Sequence, residues 1–228
     1  MSEALNIAQK PITLPDVPVL WVGAREAYIL TTDGELQTVS KERAAAMVHK
    51  EPILGCHLPY TCSQLGAQDL IGFDILELFA FVHPAVFTVP TPAGLAKTLG
   101  LAAPTNAEDY PFALMECTKA LLTDLRQDKW QAKANPLHIS AVMGGQGKSW
   151  PWTSFIHSAL GETYNPEAPV NSKTDLNIWK HLPEWSEEAP PPPPSHHPVT
   201  GEEARARLSH ILGANAEVRD QQKDYASK

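Results

Sequence analysis

The stretch from Ile53 to Leu101 sets the tightest limits on what this chain can fold into. It reads ILGCHLPYTCSQLG, then LIGFDILELFAFVHP, then FTVPTPAGLAKTLGL. Ile53 to Cys56 is too short and too apolar to be anything but a buried strand or a buried turn of helix. The β-branched start and the preceding Pro52 favour strand. A helix is expected at Thr61–Leu65. Asp74 then leads the run Ile75 to Val82, which is apolar on almost every side and so must be packed on all faces. His83-Pro84 stops it, because proline lacks the amide hydrogen and clashes with the preceding turn. Thr91-Pro92 opens another helix, with a hydroxyl at the N-cap and proline at its first position. Leu95 and Leu99 share that helix's inner face, and Gly100 sits at its C-terminal cap.

Upstream, residues 1–15 are polar and proline-punctuated and read as a loose tail. Pro18 to Gly23 and Ala27 to Thr32 read as strands. Asp33-Gly34 supplies a hairpin turn, since these residues tolerate positive φ, and Glu35 to Val39 returns as a third strand. Ser40 caps a helix through about His49. Downstream, Tyr110 to about Arg126 is a helix with Leu114, Cys117, Thr118, Leu121 and Leu125 on one buried face. Pro111 fits only its first turn. Leu137 to Met143 reads as either a strand or a turn of helix. Trp152 to Leu160 reads as a short amphipathic helix ended by Gly161. Residues 163–186 look loop-like, with Trp179 and Trp185 as anchors.

The composition then changes. Glu187-Glu188-Ala189 runs into Pro190 to Pro194 and on to His196-His197. Such a run cannot build a helix or a sheet interior and behaves as a stiff spacer; a plain linker is the simpler reading, and a ligand for a proline-binding domain is the alternative. Thr200 and Glu203 form a capping box for a charged helix, Glu202 to Leu212, ended by Gly213. The expected organisation is a flexible tail at 1–13, a folded domain at 14–161, an irregular extension at 162–186, a proline-rich linker at 187–199, and the start of a further region at 200–228.

The chain has 228 residues and 43% hydrophobic content, enough for one sizeable core. Its net charge of −8 argues against a free-standing nucleic-acid binder, which would carry a basic face. The cysteines, Cys56, Cys62 and Cys117, are odd in number and sparse, which reads as reduced and intracellular. No segment has a signal-peptide core, and none approaches the roughly twenty apolar residues of a membrane span. A cytoplasmic location and no membrane partner are expected.

The candidates for chemistry are few. Ala141 to Ser149 ends in Gly-Lys-Ser like a phosphate loop, but Val142 stands where the leading glycine is needed. Trp150-Pro151 follows at once, so a flexible glycine-rich loop is the simpler reading. Cys56, His57 and Cys62 lack the paired spacing of a zinc site and read as ordinary residues, with the cysteines buried. His196-His197 reads as solvated linker. Ser63 and Ser154 have no nucleophile-elbow setting. Two-metal nucleases need several acids on one face. Asp74 and Glu116 are the only well-placed acids after the buried strand, and Asp74 reads equally well as a helix N-cap. Glu116 reads as a solvent-facing helix charge.

The order of elements resembles the ribonuclease-H-like fold: an α/β mixed sheet of three antiparallel strands followed by parallel strands, flanked by helices. The motif string is similar to a DEDD-type 3′–5′ exonuclease domain. Leu54 to Thr61 matches the phrase in which that family's buried strand ends, with the acid absent. Phe73 to Leu78 and Gly94 to Leu101 resemble the later phrases. Pro111 to Cys117 resembles the last motif, with Pro111 for its histidine and Glu116 for its aspartate. The family's Asp-x-Glu on strand one is missing. The resemblance therefore implies a nuclease-shaped scaffold without metal ligands and with no catalytic residue; His57, Asp74 and Glu116 are remnant candidates.

A second resemblance lies at the C-terminal end. Arg219 to Ala226 is similar to the Arg-x-x-Gln motif that precedes the ATPase of DinG-type DNA helicases. Leu14 to Pro18, Phe73 to Pro92 and Trp179 to Pro194 resemble the N-terminal region of alphaproteobacterial members. The resemblance implies nucleotide contacts by Arg219 and Gln222 in the full-length helicase only. It also implies a motor downstream of Lys228, single-stranded DNA as partner through the whole protein, and ATP with Mg²⁺ as its cofactors. No cofactor or metal is expected within this chain. The rival reading is an active metal-dependent 3′–5′ exonuclease using His57, Asp74 and Glu116. A nucleotide-binding protein using Gly144 to Ser149 is a third.

Overall fold

The structure is a computed structural model and describes residues 11–49, 51–127, 135–145, 150–168, 199–213, 217 and 219–227. The chain divides into two units, Met1–Glu184 and Trp185–Lys228.

The first unit is built on a five-stranded sheet. Its strands are β1 (Val19–Val22), β2 (Glu26–Leu30), β3 (Leu36–Ser40), β4 (Ile53–Gly55) and β5 (Gly72–Asp74), in the order β3-β2-β1-β4-β5. β2 runs antiparallel to β1 and β3, whereas β4 pairs parallel with β1 and with β5. This is the mixed sheet of the ribonuclease-H-like arrangement, three antiparallel strands and then parallel ones. The Asp33-Gly34 turn closes the β2–β3 hairpin, with Gly34 at φ 86.

The described helices of this unit are α1 (Lys41–Val48), α2 (Leu58–Leu65), α3 (Ile75–Val82), α4 (Pro92–Thr98), α5 (Asp109–Arg126), α6 (Pro136–Gly144) and α7 (Thr153–Ala159). They cover both faces of the sheet, and the period of two along the strands decides which side chain goes where. Leu20, Ile29 and Ile53 point to one side and pack with Ala44 and Val48 of α1 and Leu58 and Leu65 of α2. Their neighbours Val19, Leu30 and Leu54 point to the other and join Phe73 and the helices α3, α4, α5 and α7. α5 is the spine of that larger core: Leu114, Cys117, Thr118, Leu121 and Leu125 are all buried, as their spacing predicts. The run Ile75–Val82, expected to pack on all faces, is a helix with Ile75, Leu78, Phe79, Phe81 and Val82 in the core, whereas Glu77 and Ala80 are exposed on its outer side. Ile12 and Leu14, ahead of the first strand, are partly buried against the same cluster.

Several caps stand where the sequence places them. Ser40 accepts the Arg43 amide at α1, and Thr91 accepts the Gly94 amide at α4 with Pro92 at its start. Three elements differ from expectation. The helix expected at Thr61 begins at Leu58, with Pro59 in its first turn. The undecided segment 137–143 is helical, because Asn135 caps the His138 amide and Pro136 starts the turn. β5 has no counterpart in the sequence reading, since three residues show no periodicity. Gly72 makes this strand possible: at φ 149 it lies so near β4 that a Cβ would fall 2.0 Å from the Ile53 carbonyl oxygen.

The second unit shows α8 (Gly201–Leu212) and α9 (Asp220–Ala226). The Thr200–Glu203 capping box is formed in both directions, and Arg205 Nε donates to Ser227 Oγ at 2.7 Å. Neither helix has a buried residue. Trp179, Trp185, the prolines 190–194 and His196-His197 lie outside the described residues.

Candidate functional site

Asp74 is the polar centre of the first unit. It ends β5 and starts α3, and only 6% of its surface is exposed. Its Oδ1 accepts the amides of His57 (2.9 Å) and Leu76 (3.0 Å), and its Oδ2 accepts that of Leu58 (2.7 Å). One carboxylate therefore satisfies free N–H groups at two helix starts, α2 and α3, where the helix dipoles also favour negative charge. His57, the residue before α2, needs this help: it is left-handed, with φ 56, and its own side chain makes no cap. The Asp74 carbonyl in turn accepts the indole N–H of Trp152 at 2.9 Å, and Trp152 is fully buried. Asp74 is thus the N-cap that its position suggests, and a second helix's cap as well.

The remnant candidates divide. His57 and Asp74 meet through the His57 backbone, with the His57 side chain exposed. Glu116 is exposed on α5 and lines a separate pocket with Asp109, Phe112, Leu101 and Pro104. Asp109 is already committed there, accepting the Thr105 and Asn106 amides, and these bonds hold its carboxyl below the ordinary range. Among the described residues no group of three or more His, Cys, Asp or Glu could hold a metal ion. A divalent cation does not fit the Asp74 site on its own terms: both carboxylate oxygens are taken by backbone donors, and those donors would face the cation.

A second concavity lies beside β1. At the carboxyl ends of β1 and β4, where the antiparallel and parallel halves of the sheet meet, a cleft of about 290 Å³ opens. Crevices at this place in open α/β sheets are where ligands bind. β1 contributes Trp21 and Val22, α2 contributes Tyr60, Thr61 and Gln64, and Tyr110 comes from the first turn of α5. Pro90 and Thr91 lead into α4 along its rim. Trp21 stacks on Tyr110, with ring centres 4.0 Å apart and planes at 19°. Tyr28 also packs against Trp21, with ring centres 5.4 Å apart. Tyr60 is 57% exposed and stacks on His57 at 5.9 Å. Gln64 Oε1 accepts from Lys41 Nζ at 3.3 Å.

Cys56 lies at the cleft's floor, and its thiol is pushed up to about 12, first by burial and then by Asp74 and Cys117. Cys117 is pushed up to about 11 by burial and by Glu116. Cys56 is buried, as the sequence reading expects, and so is Cys117 on the inner face of α5; thiols that resist ionisation are poor nucleophiles. Cys62, which the sequence reading also buries, is only partly covered, and it donates to the Ala67 carbonyl at 3.1 Å beyond the end of α2.

The phosphate-loop-like segment divides at the limit of description. Ala141 to Gly144 is the end of α6, and Gln146 to Ser149 lies outside the described residues. Gly144 serves packing: a Cβ there would fall 2.3 Å from Thr153 Oγ1 of α7. Arg219 stands ahead of α9 and pairs with Glu217 at 3.0 Å; Gln222 is exposed. The aromatic cleft is what sequence reasoning missed. Trp21 read only as a strand residue and Tyr110 only as a helix start. Among the described residues no helix is long and apolar enough to cross a membrane. Comparison with family models, curated proteins and solved structures gives no match for this chain.

Proposed function

We propose that the first unit is a non-catalytic, exonuclease-like accessory domain of a DinG-type DNA helicase, serving to dock DNA or a partner protein for ATP-dependent unwinding. The observation that carries this reading is the lining of the cleft beside β1. Where the resemblance places the strand-one acids, the chain offers Leu20, Trp21 and Val22, and the facing wall is Tyr60, Thr61, Gln64 and Tyr110. Such a surface suits stacking and hydrogen bonding, whereas two-metal hydrolysis needs converging carboxylates. Asp74, the acid nearest in sequence to a ligand role, is spent on helix caps. Arg219 and Gln222 would meet nucleotide only in the whole helicase, whose motor would bring ATP and Mg²⁺ and engage single-stranded DNA.

The test has two arms. In the native reading frame, an ATPase motor with its phosphate loop is expected after Lys228; a frame without one removes the helicase part of the proposal. The chain itself is then incubated with end-labelled single strands and Mg²⁺ or Mn²⁺. The expected result is no shortening. Shortening that is lost in Glu116→Gln or His57→Ala would establish the rival nuclease. Asp74→Ala is a poor control for this purpose, since it removes caps from α2 and α3 together.

A further inference from the structure

The lining of the cleft says what kind of partner it suits. Its lining includes the aromatic residues Trp21, Tyr60 and Tyr110 together with Pro90 and Pro92. Its polar groups include the phenol hydroxyls of Tyr60 and Tyr110, which can donate, and the Gln64 amide nitrogen. Lys41 occupies the Gln64 oxygen, which leaves that side chain's nitrogen to donate. A ligand that matches offers apolar ring faces and unpaired carbonyls.

A proline-rich segment has these properties. Proline carries no N–H, and an extended proline helix leaves its carbonyls free and loses little entropy on binding. Grooves lined by aromatic side chains are the general means of recognising it. Charge selects further. No Lys or Arg lines the cleft, whereas a single strand of nucleic acid needs cations that track its phosphates. Lys41 reaches the lining at Gln64, and acids stand beside the aromatic wall: Glu26 lies two residues before Tyr28 on β2, and Glu108 two residues before Tyr110 at the start of α5. The phenol of Tyr28, which leans on Trp21, is held above its ordinary range by desolvation and then by the carboxylates of Glu26 and Glu108. A cationic side chain is the complement of that border.

The geometry points to a docking cleft for a proline-rich segment of a partner protein, with a basic residue of the segment set against Glu26 and Glu108. This inference rests on the reading of the domain as a docking module and names the partner of its cleft. Tyr60 supplies the exposed platform, the Trp21–Tyr110 stack supplies the second, and Gln64 donates to a carbonyl between them.

The test is fluorescence anisotropy with a labelled proline-rich peptide carrying an arginine beside the proline run, its glutamate counterpart, and a labelled oligothymidylate. The full chain is used as it stands and with Pro190–Pro194 replaced by alternating Gly and Ser, so that the peptide is the only proline run in the second tube. The arginine peptide is expected to bind the second form, with Kd raised about tenfold by Tyr60→Ala. Glu108→Lys is expected to raise Kd about threefold for the arginine peptide and not for the glutamate one. Tyr60 is largely exposed, so its variant should melt with the parent and the loss will report contact. No peptide binding to the second form, or binding indifferent to Tyr60→Ala, overturns the inference. So does oligothymidylate binding that Tyr60→Ala abolishes, which would give the cleft to nucleic acid. These outcomes leave the docking reading in place, since only strand shortening in the nuclease assay removes that.

Discussion

Asp74 and the aromatic cleft sit close in the fold and use polar groups in opposite ways. Both lie at the carboxyl ends of parallel strands, and Cys56 belongs to both, lining the cleft while feeling the Asp74 charge. At Asp74 a buried carboxylate is saturated: three backbone amides occupy its oxygens, and its own carbonyl holds the Trp152 indole. In the cleft the side chains are large, partly open and uncharged, and they stack on one another. The difference teaches that a buried acid at a strand end of such a mixed sheet is not in itself a sign of chemistry. What matters is whether its oxygens remain available. At Asp74 they hold the fold together, and the surface that remains free to bind is aromatic.

The largest effect should come from breaking the saturated side of that comparison. Asp74→Ala leaves the amides of His57, Leu58 and Leu76 without acceptors and should cost about 4 kcal/mol in urea unfolding. Asp74→Asn should cost about 2 kcal/mol. Its oxygen can still accept from His57 and Leu76, but its NH₂ group then faces the Leu58 donor. An Asp74→Asn protein as stable as the parent would show that the charge is held there for something other than the fold.

Cys56 joins the two regions, and together with Cys117, which shares its core cluster, it gives a pH dependence. Their folded-state thiols are raised to about 12 and about 11 from an ordinary value of 9.0. A thiol with a raised folded pKa stays protonated in the native state while the unfolded chain ionises. Below pH 9 both states hold the proton and stability is unaffected. Above it the unfolded state binds fewer protons, so stability falls, by about 1.4 kcal/mol per thiol per pH unit until the folded thiol itself titrates. Denaturant midpoints at pH 8 and pH 10 should therefore differ more in the parent than in Cys56→Ala, Cys117→Ala. Equal slopes in the two proteins would place the thiols in a far wetter setting.

Much of the scaffold was legible because it rests on strong local signals. Period two marks β1 to β3, the three-four spacing marks α5, and side-chain caps at Ser40, Thr91 and Thr200 mark three helix starts. β5 was not legible: its pairing is fixed by the approach of Gly72 to Ile53, a contact nineteen positions away in the chain that no periodicity records. The early start of α2 has a similar cause, since its cap is Asp74, far downstream, and not a residue beside it. At the candidate site the N-cap role of Asp74 could be read, but its service to α2 could not. The cleft was hidden because Trp21, Tyr60 and Tyr110 come from three elements, and an exposed aromatic looks the same in sequence as a buried one.

The smallest effects test the open side of the comparison. Glu116→Gln and Tyr60→Ala should each change unfolding free energy by no more than about 0.5 kcal/mol, as surface substitutions do. Glu116 is exposed on α5 and has no ion pair among the described residues, and Tyr60 touches His57 from outside the core. The two should then part in function. Tyr60→Ala removes a platform of the cleft and should weaken peptide binding. Glu116→Gln alters a different pocket and should leave peptide binding untouched. A Glu116→Gln variant that loses binding as Tyr60→Ala does would mean that the two pockets answer to one ligand, and the contrast between a spent acid and a free aromatic surface would need a third region to explain it.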